Sequence, residues 1–195
     1  MRILLYGSTP LTERVARAIR RGGYELVGYV PSVNPWLKGR MDLVAEKVEP
    51  TVAHDIGLSV QYDRILPVDG RTFNLHSGLI PEWGGCDILY HTLKEGATEQ
   101  GLTFHRITDT LDRGPVVARV EYPVLPGDDV IALYDRMMAL APNFVLWALW
   151  LVDKCGVDAE YPDSGEPTIY RRGKIDPADR EQYERDGAAL RRIYE

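Results

Sequence analysis

The sequence predicts one α/β domain whose mainly parallel sheet is flanked by helices, and three observations carry that expectation. The chain opens with a strand, a turn, a helix and a second strand; later runs alternate with a period of two; and a long apolar stretch after residue 129 has helical spacing. A strand, helix, strand opening gives by default a right-handed crossover between parallel neighbours. With 195 residues, 45% apolar and 27% charged, the chain can bury a core without staples.

Each element has its own signal. "RILLYG" is an apolar run closed by Gly7, and "LTERVARAIRRGG" carries Leu11, Val15 and Ile19 four apart before Gly22 and Gly23 end the helix. "YELVGYV" is the second strand. The intervening turn, "GSTP", lacks the G-x-G-x-x-G spacing of a dinucleotide site, although the helix N-terminus could hold an anion weakly. Residues 31 to 54 offer a turn-rich start, "PSVNPWLKGR", and a short helix, "MDLVAEKV", before "DIGLSVQY" forms a strand. "RTFNLH" is the next strand, "ILYHTLKEG" a short helix, and "GLTFHRI" and "PVVARVEYPV" are two more strands separated by "TDTLDRG". From Asp129 the residues Val130, Leu133, Tyr134, Met137, Met138 and Ala141 share a helix face; Pro142 is expected to kink or restart that helix, and "FVLWALWLV" reads as buried. The division expected is an α/β domain over residues 1–155 and a polar C-terminal extension over 156–195. In that extension Pro177 starts a helix with a thin stripe of Leu190 and Ile193.

Bulk properties exclude several function classes. A net charge of −6 disfavours nucleic acid and anionic membranes and favours a small-molecule partner. Cys86 and Cys155 form neither a disulfide framework nor a zinc pair, and the histidines with Asp87 have no metal spacing, so no metal is expected and a reducing cytoplasm fits. The N-terminus is too short in apolar residues for a signal peptide, and the run from Phe144 to Val152 is about half of a bilayer span.

The chemistry concentrates at "FNLHSGLIPEWGG". Alternation puts Asn74 and His76 on one face at a strand end, where open α/β sheets bind ligands. A carboxamide can donate to an oxygen gaining charge, and an imidazole can take a proton or stabilise an oxyanion, so the pair suits acyl transfer. Asp112 in "LDRGP" is the carboxylate expected to orient the imidazole. Singly, each has a plainer reading: Asn74 as a turn cap, His76 as a hydrogen-bonded strand-end histidine, Asp112 as a turn residue. His105, in register with Thr103 and Ile107, reads as structural or supporting.

Their joint order resembles the folate-dependent formyltransferases, whose pattern is N-x-H, a leucine-proline loop with glycine, then T-x-H and D-x-G. The resemblance is specific over residues 58–124. It extends weakly to "MRILLYGSTP" and to the tail "PTIYRRGKIDP". It implies a Rossmann-like formyltransferase core, shortened in its N-terminal part at residues 31–54. It also implies transfer of a formyl group from N10-formyltetrahydrofolate to a primary amine through a tetrahedral intermediate. By the same resemblance Asn74, His76 and Asp112 are catalytic. Tyr62, Asp63, Arg64, Ile65 and Leu66, with Thr108, Asp109 and Leu111, bind the folate, although Ile65 and Leu66 read equally as core. Gly7, Ser8, Thr9, Ser77 and Gly78 face the acceptor. Among the family's branches an acidic chain of this length disfavours a methionyl-tRNA acceptor. "GSTP" puts glycinamide ribonucleotide second, and a nucleotide-linked aminosugar comes first, with Trp36, Trp83 and Tyr90 as candidate stacking groups and a smaller amine as a consequence of the shortened region. A formyltetrahydrofolate hydrolase and a silent folate or nucleotide-binding module are the rival classes. A homodimer through residues 129–153 or the tail is compatible with the sequence.

Overall fold

A computed structural model describes residues 1–156, 158, 160 and 168–195; the polar stretch "YPDSGEP" lies outside the described residues. The strands are β1 (Arg2–Tyr6), β2 (Glu25–Val30), β3 (Ile56–Val60), β4 (Thr72–His76), β5 (Gly84–Gly85), β6 (Glu99–Arg106), β7 (Val116–Pro123) and β8 (Ile169–Tyr170). The helices are α1 (Pro10–Arg21), α2 (Ile88–Lys94), α3 (Val130–Lys154) and α4 (Arg180–Tyr194). Six strands form one sheet in the order β2-β1-β3-β4-β6-β7, and β5 pairs with β8. The pairings from β2 to β4 are parallel; β4 with β6 and β6 with β7 are antiparallel. The sheet is thus mixed, and β4 is the strand where its direction changes.

Local chemistry explains the elements. Thr9 and Thr12 cap the head of α1 reciprocally, and Pro10 sits where a missing N–H costs nothing. The apolar residues of α1 and α3 join Ile3, Leu5, Leu58, Phe73 and Leu75 in the main core. The opposite face of the sheet holds a smaller cluster around Leu4, Tyr6 and Val30, covered in part by Val48, Val52 and Leu66.

Three expectations change here. "MDLVAEKV" is only a single 3-10 turn, Met41–Leu43. The following residues run alongside β2 instead, with Tyr29 N on Glu46 O (2.9 Å) and Val48 N on Tyr29 O (3.0 Å). Gly28 permits that approach, because a Cβ there would lie 2.6 Å from Val48. Next, α3 runs unbroken through Pro142. Proline cannot donate to the carbonyl four residues back, that of Met138, and Arg14 of α1 donates to it instead at 3.3 Å. Last, the "FVLWALWLV" segment is not buried all round: Trp147 and Trp150 are each 48% exposed. Among the described residues no helix is long and apolar enough to cross a membrane.

The extension folds back over the domain. Asp176 caps the turn that leads into α4, Leu190 is buried, and the Tyr194 ring meets Tyr134 edge-on at 4.9 Å; Ile193 stays exposed. Tyr170 of β8 stacks on His91 (4.2 Å) and on Trp83 (5.6 Å).

Candidate active site

The site is built where β4 meets β6. Their register sets Asn74 opposite His105 and His76 opposite Thr103, so all four side chains share the face that strand alternation gives to Asn74 and His76. Asp112 reaches this face from the loop between β6 and β7, with a left-handed backbone (φ 47°). That loop lies tight against β6: a Cβ on Gly114 would fall 1.7 Å from Arg106 O.

Asp112, His76 and His105 are all buried. Asp112 Oδ1 accepts from Asn74 Nδ2 at 3.2 Å and Oδ2 accepts from Gly85 N at 2.8 Å. His76 Nδ1 lies 3.4 Å from Oδ2, and His105 Nε2 lies 3.5 Å from Oδ1. The carboxylate therefore stands between two imidazoles. His76 Nε2 is 2.6 Å from the Trp83 carbonyl and donates to it. His105 Nδ1 donates to Arg106 O at 3.1 Å, which leaves Nε2 to accept from Asn74 Nδ2 at 3.2 Å. Burial pushes the Asp112 carboxyl up, but the His76 and His105 imidazoles beside it and the Gly85 N–H outweigh this and bring it down to about 2. It is an anion at neutral pH. His105, read from sequence as structural or supporting, is in direct contact with Asn74; the register of β6 against β4 was the missing information.

A cavity of about 700 Å³ opens above this cluster, within the usual size of a ligand pocket. Asn74, His76, Ser77 and Asp112 lie on its floor. Tyr62, Asp63, Arg64, Ile65 and Leu66 line it, as do Thr108, Asp109 and Leu111. Ile65 is 94% exposed, which excludes a core role for it, whereas Leu66 packs partly against the smaller cluster. Trp36 and Tyr90 also line the cavity; Trp83 does not, and acts through its carbonyl on His76.

Gly7, Ser8, Thr9 and Gly78, expected to face the acceptor, stand outside this wall. Gly7 N is held by Val30 O (3.0 Å), Ser8 O by Gly39 N (2.8 Å) and Thr9 N by Thr12 Oγ1 (3.2 Å). Gly78 backs the His76 ring instead, since a Cβ there would lie 2.8 Å from Nε2. Sequence reading also missed the wall supplied by the C-terminal extension, namely Arg172, Tyr183, Glu184, Asp186, Gly187, Leu190 and Arg191. Asp87 latches that segment down: its two oxygens accept from Tyr183 Oη and Gly173 N, each at 2.8 Å. The only prior signal was the "TIYRR" tail.

Comparison with known proteins is consistent with this geometry. The chain is 32% identical over 133 residues to the methionyl-tRNA formyltransferase of Aromatoleum aromaticum, which covers 65% of this chain but only 42% of that protein. An N-formyltransferase structure from Helicobacter canadensis, in complex with folinic acid and dTDP-3-aminofucose, superposes with a TM-score of 0.78 at 16% identity, covering 89% of this chain and 72% of the other. Glycinamide ribonucleotide transformylase 1 from Symbiobacterium toebii superposes with a TM-score of 0.68 at 19% identity, covering 84% and 94%. At these identities the two structures establish the fold. The family model for formyl transferases matches residues 42–149, a span that includes Asn74, His76, His105 and Asp112. That span is more than half of the sequence, and the chain belongs to the formyl transferase family.

Proposed function

We propose that the protein transfers the formyl group of N10-formyltetrahydrofolate to a primary amine, with a nucleotide-linked aminosugar as the acceptor. The observation that carries this reading is the buried Asp112 carboxylate, held between His76 and His105 and bonded to Asn74, on the floor of the cavity. The donor's flat ring fits the exposed Ile65 with Leu66 and Leu111 beside it, and the polar backbone of residues 108–111 is at hand for its edge. The folinic acid and aminosugar nucleotide bound by the Helicobacter canadensis protein support the pairing of substrates.

Attack by the amine forms a C–N bond to the formyl carbon and loads negative charge on the formyl oxygen. Asn74 and His76 are the donors within reach of that charge. In the resting site Asn74 donates to Asp112 and His105, and His76 to the Trp83 carbonyl, so the substrate oxygen exchanges with protein acceptors rather than with bulk water. Asp112, with its carboxyl held at about 2, is a poor proton acceptor at neutral pH. Its role is to orient and stabilise a protonated His76, which gives its proton to the departing nitrogen as the old C–N bond breaks and is then reprotonated by the proton that the attacking amine sheds. The test is optical detection of tetrahydrofolate release with a panel of amines, beside the His76→Ala variant. Amine-dependent turnover that collapses in the variant supports transfer. Amine-independent turnover means hydrolysis, and no turnover with any amine overturns both.

A further inference from the structure

Two features bear on where an acceptor's charge can sit: the turn after β1 lies outside the cavity lining, and the wall made by α4 carries a cation that this chemistry does not use. At the turn, Gly7 N and Thr9 N already have protein acceptors, and Gly39 backs onto Thr9 so closely that a Cβ would lie 2.4 Å from Thr9 O. Neither of these two N–H groups is available to an anion. On α4, Tyr183, Gly187, Leu190 and Arg191 follow one another at i, i+4, i+7 and i+8 and all line the cavity. Tyr183 is bonded to Asp87 and Leu190 is buried in the core. The Arg191 guanidinium has no hydrogen bond or ion pair among the described residues. Three carboxylates line the cavity nearby: Asp87 accepts from Tyr183 Oη and Gly173 N, Asp186 accepts from Gln182 Nε2 at 2.6 Å, and Glu184 lies on the turn next to Tyr183.

Gly187 explains how a ligand reaches Arg191. Mid-helix glycine costs about 1 kcal/mol relative to alanine, and a Cβ at this position would meet nothing nearer than Arg191 Nη2 at 3.8 Å. Packing therefore does not require the glycine. A longer side chain there would fill the space in front of the guanidinium.

We propose that α4 is the acceptor-recognition wall, in which Arg191, reached across the gap at Gly187, takes a phosphate or diphosphate carried by the acceptor amine. This rests on the formyl-transfer reading for the amine's fate, but not for the binding of the anion. The test is calorimetric binding of three probes, dTDP, ribose 5-phosphate and 5-formyltetrahydrofolate, to the wild-type protein and to Arg191→Gln, Gly187→Leu and Gly187→Ala. Arg191→Gln and Gly187→Leu should weaken the better-bound phosphate probe by about tenfold to a hundredfold, the worth of a charge-assisted contact. The folate probe should stay within about twofold in every variant. Preference for dTDP marks a diphosphate ligand, and preference for ribose 5-phosphate a monoester. Gly187→Ala, which favours the helix, controls for folding: a stabilised Gly187→Ala beside a weakened Arg191→Gln retains the inference even where Gly187→Leu misfolds. Absence of phosphate binding by the wild type, or equal binding by Arg191→Gln, overturns it. Phosphate binding through Arg191 without folate binding supports the wall and rejects the formyl-transfer reading.

Discussion

Replacing Asp112 by asparagine removes one charge and almost no volume. The backbone there is left-handed (φ 47°), a conformation that asparagine adopts as readily as aspartate, so loop strain does not enter. Both carboxylate oxygens accept, Oδ1 from Asn74 Nδ2 and Oδ2 from Gly85 N. An amide keeps one of these bonds and turns its own N–H groups toward the other donor; a buried donor left unpaired costs about 1–3 kcal/mol. The charge matters separately. A carboxyl brought from 3.8 down to about 2 is worth about 2.5 kcal/mol at about 1.4 kcal/mol per unit. Because the folded value is depressed, this stabilisation is fully present above the unfolded value and is lost as pH falls through the folded one, between roughly pH 4 and 2. Asp112→Asn should therefore be less stable at pH 7 by about 2–4 kcal/mol, and the gap from wild type should narrow as pH drops through that window. Urea unfolding at pH 7 and at steps below pH 4 measures the gap. Tetrahydrofolate release should fall by on the order of a hundredfold or more. A pH-independent gap, or turnover within about threefold of wild type, would refute the argument that the carboxylate is charged, paired and used.

Other expectations follow from single contacts. Ile65→Ser removes a side chain that is 94% exposed; stability should stay within about 0.5 kcal/mol, while binding of 5-formyltetrahydrofolate weakens by about tenfold or more as apolar contact is lost. Equal folate affinity in titration would remove Ile65 from the donor site. Arg14→Ala should destabilise by about 0.5–1.5 kcal/mol because Met138 O loses its donor. Adding Pro142→Ala, which restores a helical N–H for that carbonyl, should recover part of the loss; strict additivity in the double-mutant cycle would contradict the pairing. Asp87→Asn keeps one of two acceptors for Tyr183 and Gly173, so amide exchange should quicken in residues 168–194 and stay unchanged in β3 and β4; uniform protection would show that the latch does not hold the tail.

Much of the domain was legible because its signals are local. The opening strand and helix follow from apolar spacing and from the Gly7 and Gly22 boundaries, and the common face of Asn74 and His76 follows from period two alone. What failed was decided at a distance. Residues 44–48 have helical spacing, yet the space beside Gly28 lets them run along β2. Pro142 should break a helix, yet Arg14, far away in sequence, satisfies the carbonyl it orphans. His105 looked peripheral until the antiparallel register set it against Asn74. Ile65 and Leu66 looked alike and separated into an exposed and a packed residue according to the path of the loop after β3. The extension gave the least warning, since its apolar stripe is thin and its fixed points are hydrogen bonds that Asp87 and Tyr90 accept, and Lys94 donates, across more than eighty positions.

That arrangement separates two kinds of sequence change. The floor of the cavity is encoded between β3 and Asp112, its far wall after residue 168, and the two are joined by β7 and α3, which belong to the core. Leu190 is the one α4 residue that is buried, so most substitutions on that helix alter the lining without disturbing the packing beneath the catalytic cluster. A lineage, or a combinatorial library restricted to α4, can therefore explore new lining chemistry at small cost to folding while the reactive floor stays as it is.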